Sequence, residues 1–278
     1  MADTVTCNTH GDSAKAYVCT HLVGEQYGLG FNREEPDTHN PFPDAWCDAC
    51  EAYRVEHNGW NEESEKYAGI SLICSECYLR AHLCNQKTAQ TLDELASLRW
   101  KCGSCEEWHI GPMLDIGWDR PRYWPKDRDA GQRWIFDIEG NRIAGTPTFL
   151  DSDYCAIDDE FFFVRGLLHL PIIGAGNAFR LGIWGSLSIK NFEALIKADA
   201  GLVENDFDPM FSWLSSQIDV YPDSESSLKM HAHIQAKGLR PNFALQPADH
   251  LLARDYQEGI TVERLKKIMF HYLPAQGA

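Results

Sequence analysis

The 278-residue sequence predicts an α+β protein in which a small zinc-stabilised N-terminal domain precedes a mixed α+β domain. Three observations carry that prediction. Nine of the ten cysteines fall before Glu106, most of them in pairs at metal-ligand spacing. The acidic excess is also uneven: residues 1–98 hold 16 acidic against 6 basic side chains, more than half of the formal net charge of −16. Beyond that segment, strand-like runs of aromatic and branched residues alternate with helical patterns that carry caps. The join is expected near residue 88, giving domains 1–87 and 88–278. The polar stretch Asn85–Thr91 and the helical pattern Leu92, Leu95, Leu98 mark the connection.

The first domain shows little secondary structure in its pattern. Residues 32–44 hold three prolines and a run of acids, the mark of an exposed loop. Tyr78–Cys84 reads as a short helix. So few aliphatic residues are available that something other than an apolar core must hold the segment, and small domains in that position use metals.

Five ligand pairs occur in order: Cys7-x2-His10, Cys19-x-His21, Cys47-x2-Cys50, Cys74-x2-Cys77 and Cys102-x2-Cys105 with His109 close behind. Two donors three residues apart can bite one ion from a tight turn, and zinc takes four N or S donors in a tetrahedron. The first four pairs therefore predict two zinc ions. A redox dithiol, the alternative for a lone C-x2-C, normally stands singly after a strand. Which pairs share an ion is open. Sequential pairing is cramped by the single residue inside Cys19-x-His21. Interleaving would join Cys7/His10 to Cys47/Cys50 and Cys19/His21 to Cys74/Cys77. A ribbon-like joining of Cys74/Cys77 to Cys102/Cys105 is a third arrangement. Cys102, Cys105 and His109 offer three donors for a third ion, with Cys155 the cysteine left to complete them. A water in that place would make the site open. Cys84 reads as an ordinary thiol.

In the second domain the strand candidates are Trp134–Asp137, Glu160–Leu170, Arg180–Leu187, Leu228–Ile234 and Asn242–Leu245. Ser188 is placed to cap a helix over Ile189–Ala198, and Thr261 one over Val262–Tyr272. His231 and His233 share a face of their strand. With His250 they form the alternative metal site, while His169 and His271 read as core or rim residues.

Residues 100–273 resemble the uncharacterised bacterial family called domain of unknown function 2199. The stretches that carry the resemblance are Trp100–Pro112, Ser152–Ile172, Leu181–Leu195 and Gly238–Thr261. It implies that Cys102, Cys105, His109 and Cys155 stand at the family's own Cys and His positions. One departure is Glu106, where the family usually has Gly after the second Cys. Residues 5–85 resemble a small bacterial cysteine-rich protein through Cys7–Gly11, Val18–Leu22, Pro43–Cys50 and Cys74–Tyr78, which places Cys74/Cys77 with the first domain. Neither resemblance implies an activity.

No apolar run approaches the eighteen or so residues that span a bilayer. Met1–Cys7 lacks the basic-then-apolar pattern of a signal peptide, so the expected compartment is the cytoplasm, where thiols stay reduced. The charge favours a protein partner, a basic one above all, in an immunity-like or regulatory role without catalysis. A metal-dependent hydrolase is the alternative. Nucleic acid is disfavoured by the sign of the charge. A local patch of Arg120, Arg122, Lys126, Arg128 and Arg133 among Trp118, Tyr123, Trp124 and Trp134 is the feature that could serve it.

Overall fold

Thr4–Cys7 (β1) and Gly11–Cys19 (β2) form an antiparallel hairpin that sets Cys7 opposite Gly11 in the computed structural model, which describes residues 4–24, 26–221 and 228–273. In the second half of β2, Ala16 and Val18 are buried while Tyr17 faces out, the two-residue period of a half-buried strand. Asn32–Arg33 (β3) and Ala45–Trp46 (β4) follow, with β4 parallel to β2 at Val18. Asp48–Glu56 (α1) and Glu62–Ala68 (α2) come next. A capping box starts α2, where Asn61 accepts from the Ser64 N–H and the Ser64 hydroxyl accepts from the Asn61 N–H.

Ile70–Cys74 (β5) then runs antiparallel to β2, from Ile70 opposite Cys19 to Cys74 opposite Lys15, and leads straight into Ser75–Asn85 (α3). A five-stranded sheet thus occupies a segment expected to be poor in strands. The pattern hides it because two of its strands have only two residues and because ligand cysteines end the other three. The helix expected over Tyr78–Cys84 is present and longer. The buried residues here are small: Ala16, Val18, Leu22, Ala45, Ala68 and cysteines, gathered around Tyr78, whose hydroxyl donates to the Pro43 carbonyl at 2.6 Å. Ala89–Ala96 (α4), capped by Thr88, precedes the short hairpin Arg99–Lys101 (β6) and Trp108–Ile110 (β7).

These elements belong to one of two compact units, Met1–Met113 with Pro171–Phe179 and Gln257–Ala278; the expected join near residue 88 falls inside it. The other unit is Leu114–Leu170 with Arg180–Tyr256. The strands that follow in the chain begin with Asp115–Gly117 (β8), Ile135–Phe136 (β9), Arg142–Ala144 (β10) and Phe149–Leu150 (β11). Tyr154–Ile157 (β12), Phe161–Ile172 (β13) and Asn177–Leu187 (β14) follow, the adjoining ends of β13 and β14 lying in the first unit. Ile189–Asp199 (α5) leads to Met210–Trp213 (β15), Lys229–His233 (β16), Asn242–Leu245 (β17) and Leu251–Glu258 (α6). The last element, Val262–Tyr272 (α7), counts with the first unit.

An eight-stranded mixed sheet runs in the order β11-β12-β13-β17-β16-β15, with β14 pairing both β13 and β8. All five strand candidates are strands within a few residues, and Asn242–Leu245 matches end to end. Ser188 and Thr261 cap α5 and α7 as predicted, accepting from the N–H groups of Asn191 and Arg264. Phe192 of α5 is fully buried against Trp134, Phe149, Tyr154 and Phe162, ring centroids 5.1–6.1 Å away. Among the described residues no helix is long and apolar enough to cross a membrane.

Candidate metal centres

Cys7 ends β1 and His10 stands in the turn before β2, where Gly11 takes the positive φ that the reversal requires. Cys74 ends β5 and is the N-cap of α3, while Cys77 lies in that helix's first turn. The C-x2-C spacing therefore puts both sulfurs beside free backbone N–H groups at a helix N-terminus, where negative charge is stabilised. The Cys77 N–H donates to Cys74 Sγ at 3.4 Å. His10 Nδ1 lies 3.6, 3.3 and 3.5 Å from the sulfurs of Cys7, Cys74 and Cys77, and the Cys7 and Cys77 sulfurs are 3.9 Å apart. A tetrahedral zinc with ordinary bond lengths has S···S edges of about 3.8 Å and S···N edges of about 3.6 Å. The donor set fits such an ion.

Cys19 ends β2, His21 follows within the short 3-10 helix Thr20–Leu22, and Cys47 and Cys50 repeat the N-cap and first-turn placement on α1. His21 Nδ1 lies 3.7 and 3.2 Å from the Cys47 and Cys50 sulfurs, which are 3.6 Å apart, and the Cys47 N–H donates to Cys19 Sγ. Each set brings its four ligand atoms within 4.8 Å of one another. The three cysteines of the second set are buried and its histidine is exposed.

Without a cation the Cys19, Cys50 and Cys77 thiols resist ionisation. Burial, then the neighbouring Cys47 and Cys19 sulfurs, pushes the Cys50 thiol well up. Burial and Cys74 push Cys77 up to about 12. Cys7 goes the other way: burial alone would raise it, but the Thr9 and His10 backbone N–H groups, with Cys74 and His10 side chains, bring it down to about 6. A bound divalent ion favours the thiolate form of each sulfur it touches and so offsets the penalty at the raised ones.

The pairing is none of the three arrangements weighed from the sequence. It is nested, first pair with fourth and second with third. Strand register explains why. β2 carries Cys19 at one end and follows the Cys7/His10 turn at the other, a separation of about 26 Å for nine extended residues. Because β5 runs antiparallel to β2, it delivers Cys74 toward the Cys7/His10 end and away from Cys19.

The third group is Cys102, Cys105 and His109 on the β6–β7 hairpin, also with ligand atoms within 4.8 Å of one another. Cys105 Sγ lies 3.2 Å from His109 Nε2. The Ser104 N–H donates to Cys102 Sγ, and the backbone N–H groups of Cys105 and Ser104 hold the Cys102 thiol below its ordinary value. Trp100 stacks on the His109 ring at 4.6 Å, fixing its orientation. That contact was not read from the sequence, although Trp100 opposite His109 in a two-strand register could have suggested it. Glu106 adopts φ +60°, so a side chain occupies a left-handed turn position that glycine fills without strain.

Cys155 is not brought into this group. It is fully buried in β12 within a cluster of Trp124, Ile157, Phe163 and Trp184, and burial, then Asp151, pushes its thiol up to about 12. A fully buried thiol among aromatic rings suits a core residue. His231 and His233 lie on one face of β16, opposite Ala244 and Asn242. Among the described residues they form no ligand group with His250, whose Nδ1 accepts from the Leu252 N–H. In the basic patch Tyr123 is exposed with Arg122 over its ring. Arg128 pairs with Asp158, Arg133 pairs with Asp199 and lies over the Tyr154 ring, and Trp124 and Trp134 are buried.

Residues 101–260 match the family described as "Uncharacterized protein conserved in bacteria (DUF2199)", more than half of the chain. The chain belongs to this family. No curated protein and no solved structure matches. The DUF2199 segment takes in the third ligand group and Cys155 and leaves both four-ligand groups outside. The nested centres are therefore an addition to the DUF2199 region in this chain.

Proposed function

We propose that this protein is a non-catalytic interaction module of the immunity or regulatory type, held together by two structural zinc ions and presenting an acidic surface to a basic protein partner. The observation that supports this reading is the completeness of the two four-ligand groups, Cys7/His10/Cys74/Cys77 and Cys19/His21/Cys47/Cys50. Four chain-supplied donors leave a zinc ion no position for substrate, which is the pattern of structural and not of catalytic sites. Three thiolates against one divalent ion add one negative charge per centre, so metal loading takes the bare chain from −16 to about −18. The acidity is strengthened and not neutralised, and such a field speeds the encounter with a cationic partner.

Elemental analysis of the purified chain tests the first half of the reading. Two zinc ions are expected in the nested centres, with one lost in Cys47→Ser and the other retained. Association with a basic partner, measured at rising ionic strength, tests the second half. Binding should slow and weaken as salt screens the charges. Zinc-free protein would sink the structural reading, and affinity indifferent to salt would sink the electrostatic one.

A further inference from the structure

We propose that Cys102, Cys105 and His109 form a third metal centre whose fourth coordination position takes a thiolate from outside the chain. Three donors within 4.8 Å of one another are one short of a tetrahedron, and among the described residues no fourth Cys, His, Asp or Glu joins them. The other two groups of this chain are both Cys3His. Measured against them, the third lacks one sulfur. With two thiolates and a neutral imidazole, a bound zinc carries no net charge; one more thiolate brings it to the single negative charge of the nested centres.

The chain has no thiol to spare for that position. Six of its ten cysteines belong to the nested groups and two to the third. The remaining two, Cys84 and Cys155, are 1% and 0% exposed. A second copy of the chain has the same inventory, so self-association does not supply the ligand either. The centre itself is reachable: Cys105 is exposed, and the hairpin that carries it also exposes Trp108 and Ile110. The ligand is therefore an external thiol, either a small free one or a cysteine side chain of a partner protein. When its sulfur binds, the S–H proton passes to solvent, the oxygen donor that held the position leaves intact, and no electron is transferred.

The proposal stands apart from the reading of the nested centres, and one experiment separates them. The full-length protein loaded with zinc should hold three ions, and a Cys102→Ser/Cys105→Ser variant two. His109→Ala supplies the same subtraction independently. In the cobalt-exchanged protein, the wild-type spectrum minus that of either variant isolates the third ion. Millimolar glutathione should raise its sulfur-to-cobalt charge-transfer band about 1.5-fold, as two sulfur ligands become three. S-methylglutathione, with its sulfur blocked, should leave the band unchanged. A short cysteine-containing peptide that acts at much lower concentration than glutathione would assign the ligand to a partner protein, and an equal response would assign it to a small thiol. A count that stays at two would overturn the proposal. So would a third ion showing three sulfur ligands before any thiol is added, or a band unmoved by both thiols.

Discussion

Around Tyr78 the fully buried residues are alanines, one valine, one leucine and cysteines, with half-buried Phe31 and Phe42 against its ring; around Phe192 the second unit packs Trp134, Phe149, Tyr154 and Phe162. Each fully buried aromatic side chain in the second removes a large apolar area from water, worth about 1.5–3 kcal/mol. The small, fully buried residues beside Tyr78 bring less apiece, even with half-buried Phe31, Phe42 and Trp46 packed against them, so coordination by the ligand groups set among them must carry part of what burial does not. The difference also accounts for the charge. A segment clamped by metal can tolerate a dense acidic surface, whose self-repulsion would strain a shell held by apolar contacts alone.

Chelation should produce the largest effect and the sharpest division. Structural zinc contributes on the order of 10 kcal/mol to the fold that holds it. Hydrogen exchange after metal removal should show β2 and β5 losing protection while β12, β16 and β17 keep theirs. Uniform loss would mean that the two units do not rely on different forces. Next comes Phe192→Ala, expected to cost about 3–5 kcal/mol in denaturant melts because the ring is fully buried. Its zinc content should not change.

Cys155 gives a pH-dependent test within the second unit. Its folded thiol is pushed up to about 12, whereas the unfolded chain ionises near the ordinary thiol value. The folded state therefore binds the proton more tightly. Its contribution is fully present below about pH 8.5 and is lost as pH rises toward 12, at up to about 1.4 kcal/mol per pH unit. Subtracting the stability profile of Cys155→Ala from that of wild type should reveal this fall, and a flat difference would refute it. The smallest effect is expected at Glu106. Replacing it with glycine should relieve the left-handed backbone and stabilise the β6–β7 hairpin by roughly 0.5–1 kcal/mol. Tighter zinc retention by the third group in competition with a chelator would report it.

The same contrast decides what could be read from the sequence. In the second unit, helix α5 pairs a side-chain cap with the 3.6-residue period, and β16 alternates buried Met230 and Ala232 with its histidines. Local signals of this kind point to one structure. In the first unit, β5 exposes Ile70 and Leu72 so that its apolar residues do not alternate, and β3 and β4 are too short to leave a pattern. The ligand pairs were visible as pairs because the C-x2-C bite is local. Their partnership was not, because it depends on the register between β2 and β5, and the four weighed pairs look alike in the chain. Cys155 shows the opposite trap: a cysteine of suitable type, with nothing in its own neighbourhood to say that aromatic rings surround it.

Nesting also implies an order of assembly. The inner clasp joins residues 29 positions apart, His21 and Cys50, whereas the outer joins Cys7 and Cys77 across 70. Closing the outer loop first costs about 0.8 kcal/mol more chain entropy than closing the inner one first. Once the inner clasp has shortened the path, the outer closes at about 0.5 kcal/mol less than it would alone. The two ions are thereby coupled without touching: the inner primes the outer by taking slack out of the chain, as one bracket closed inside another.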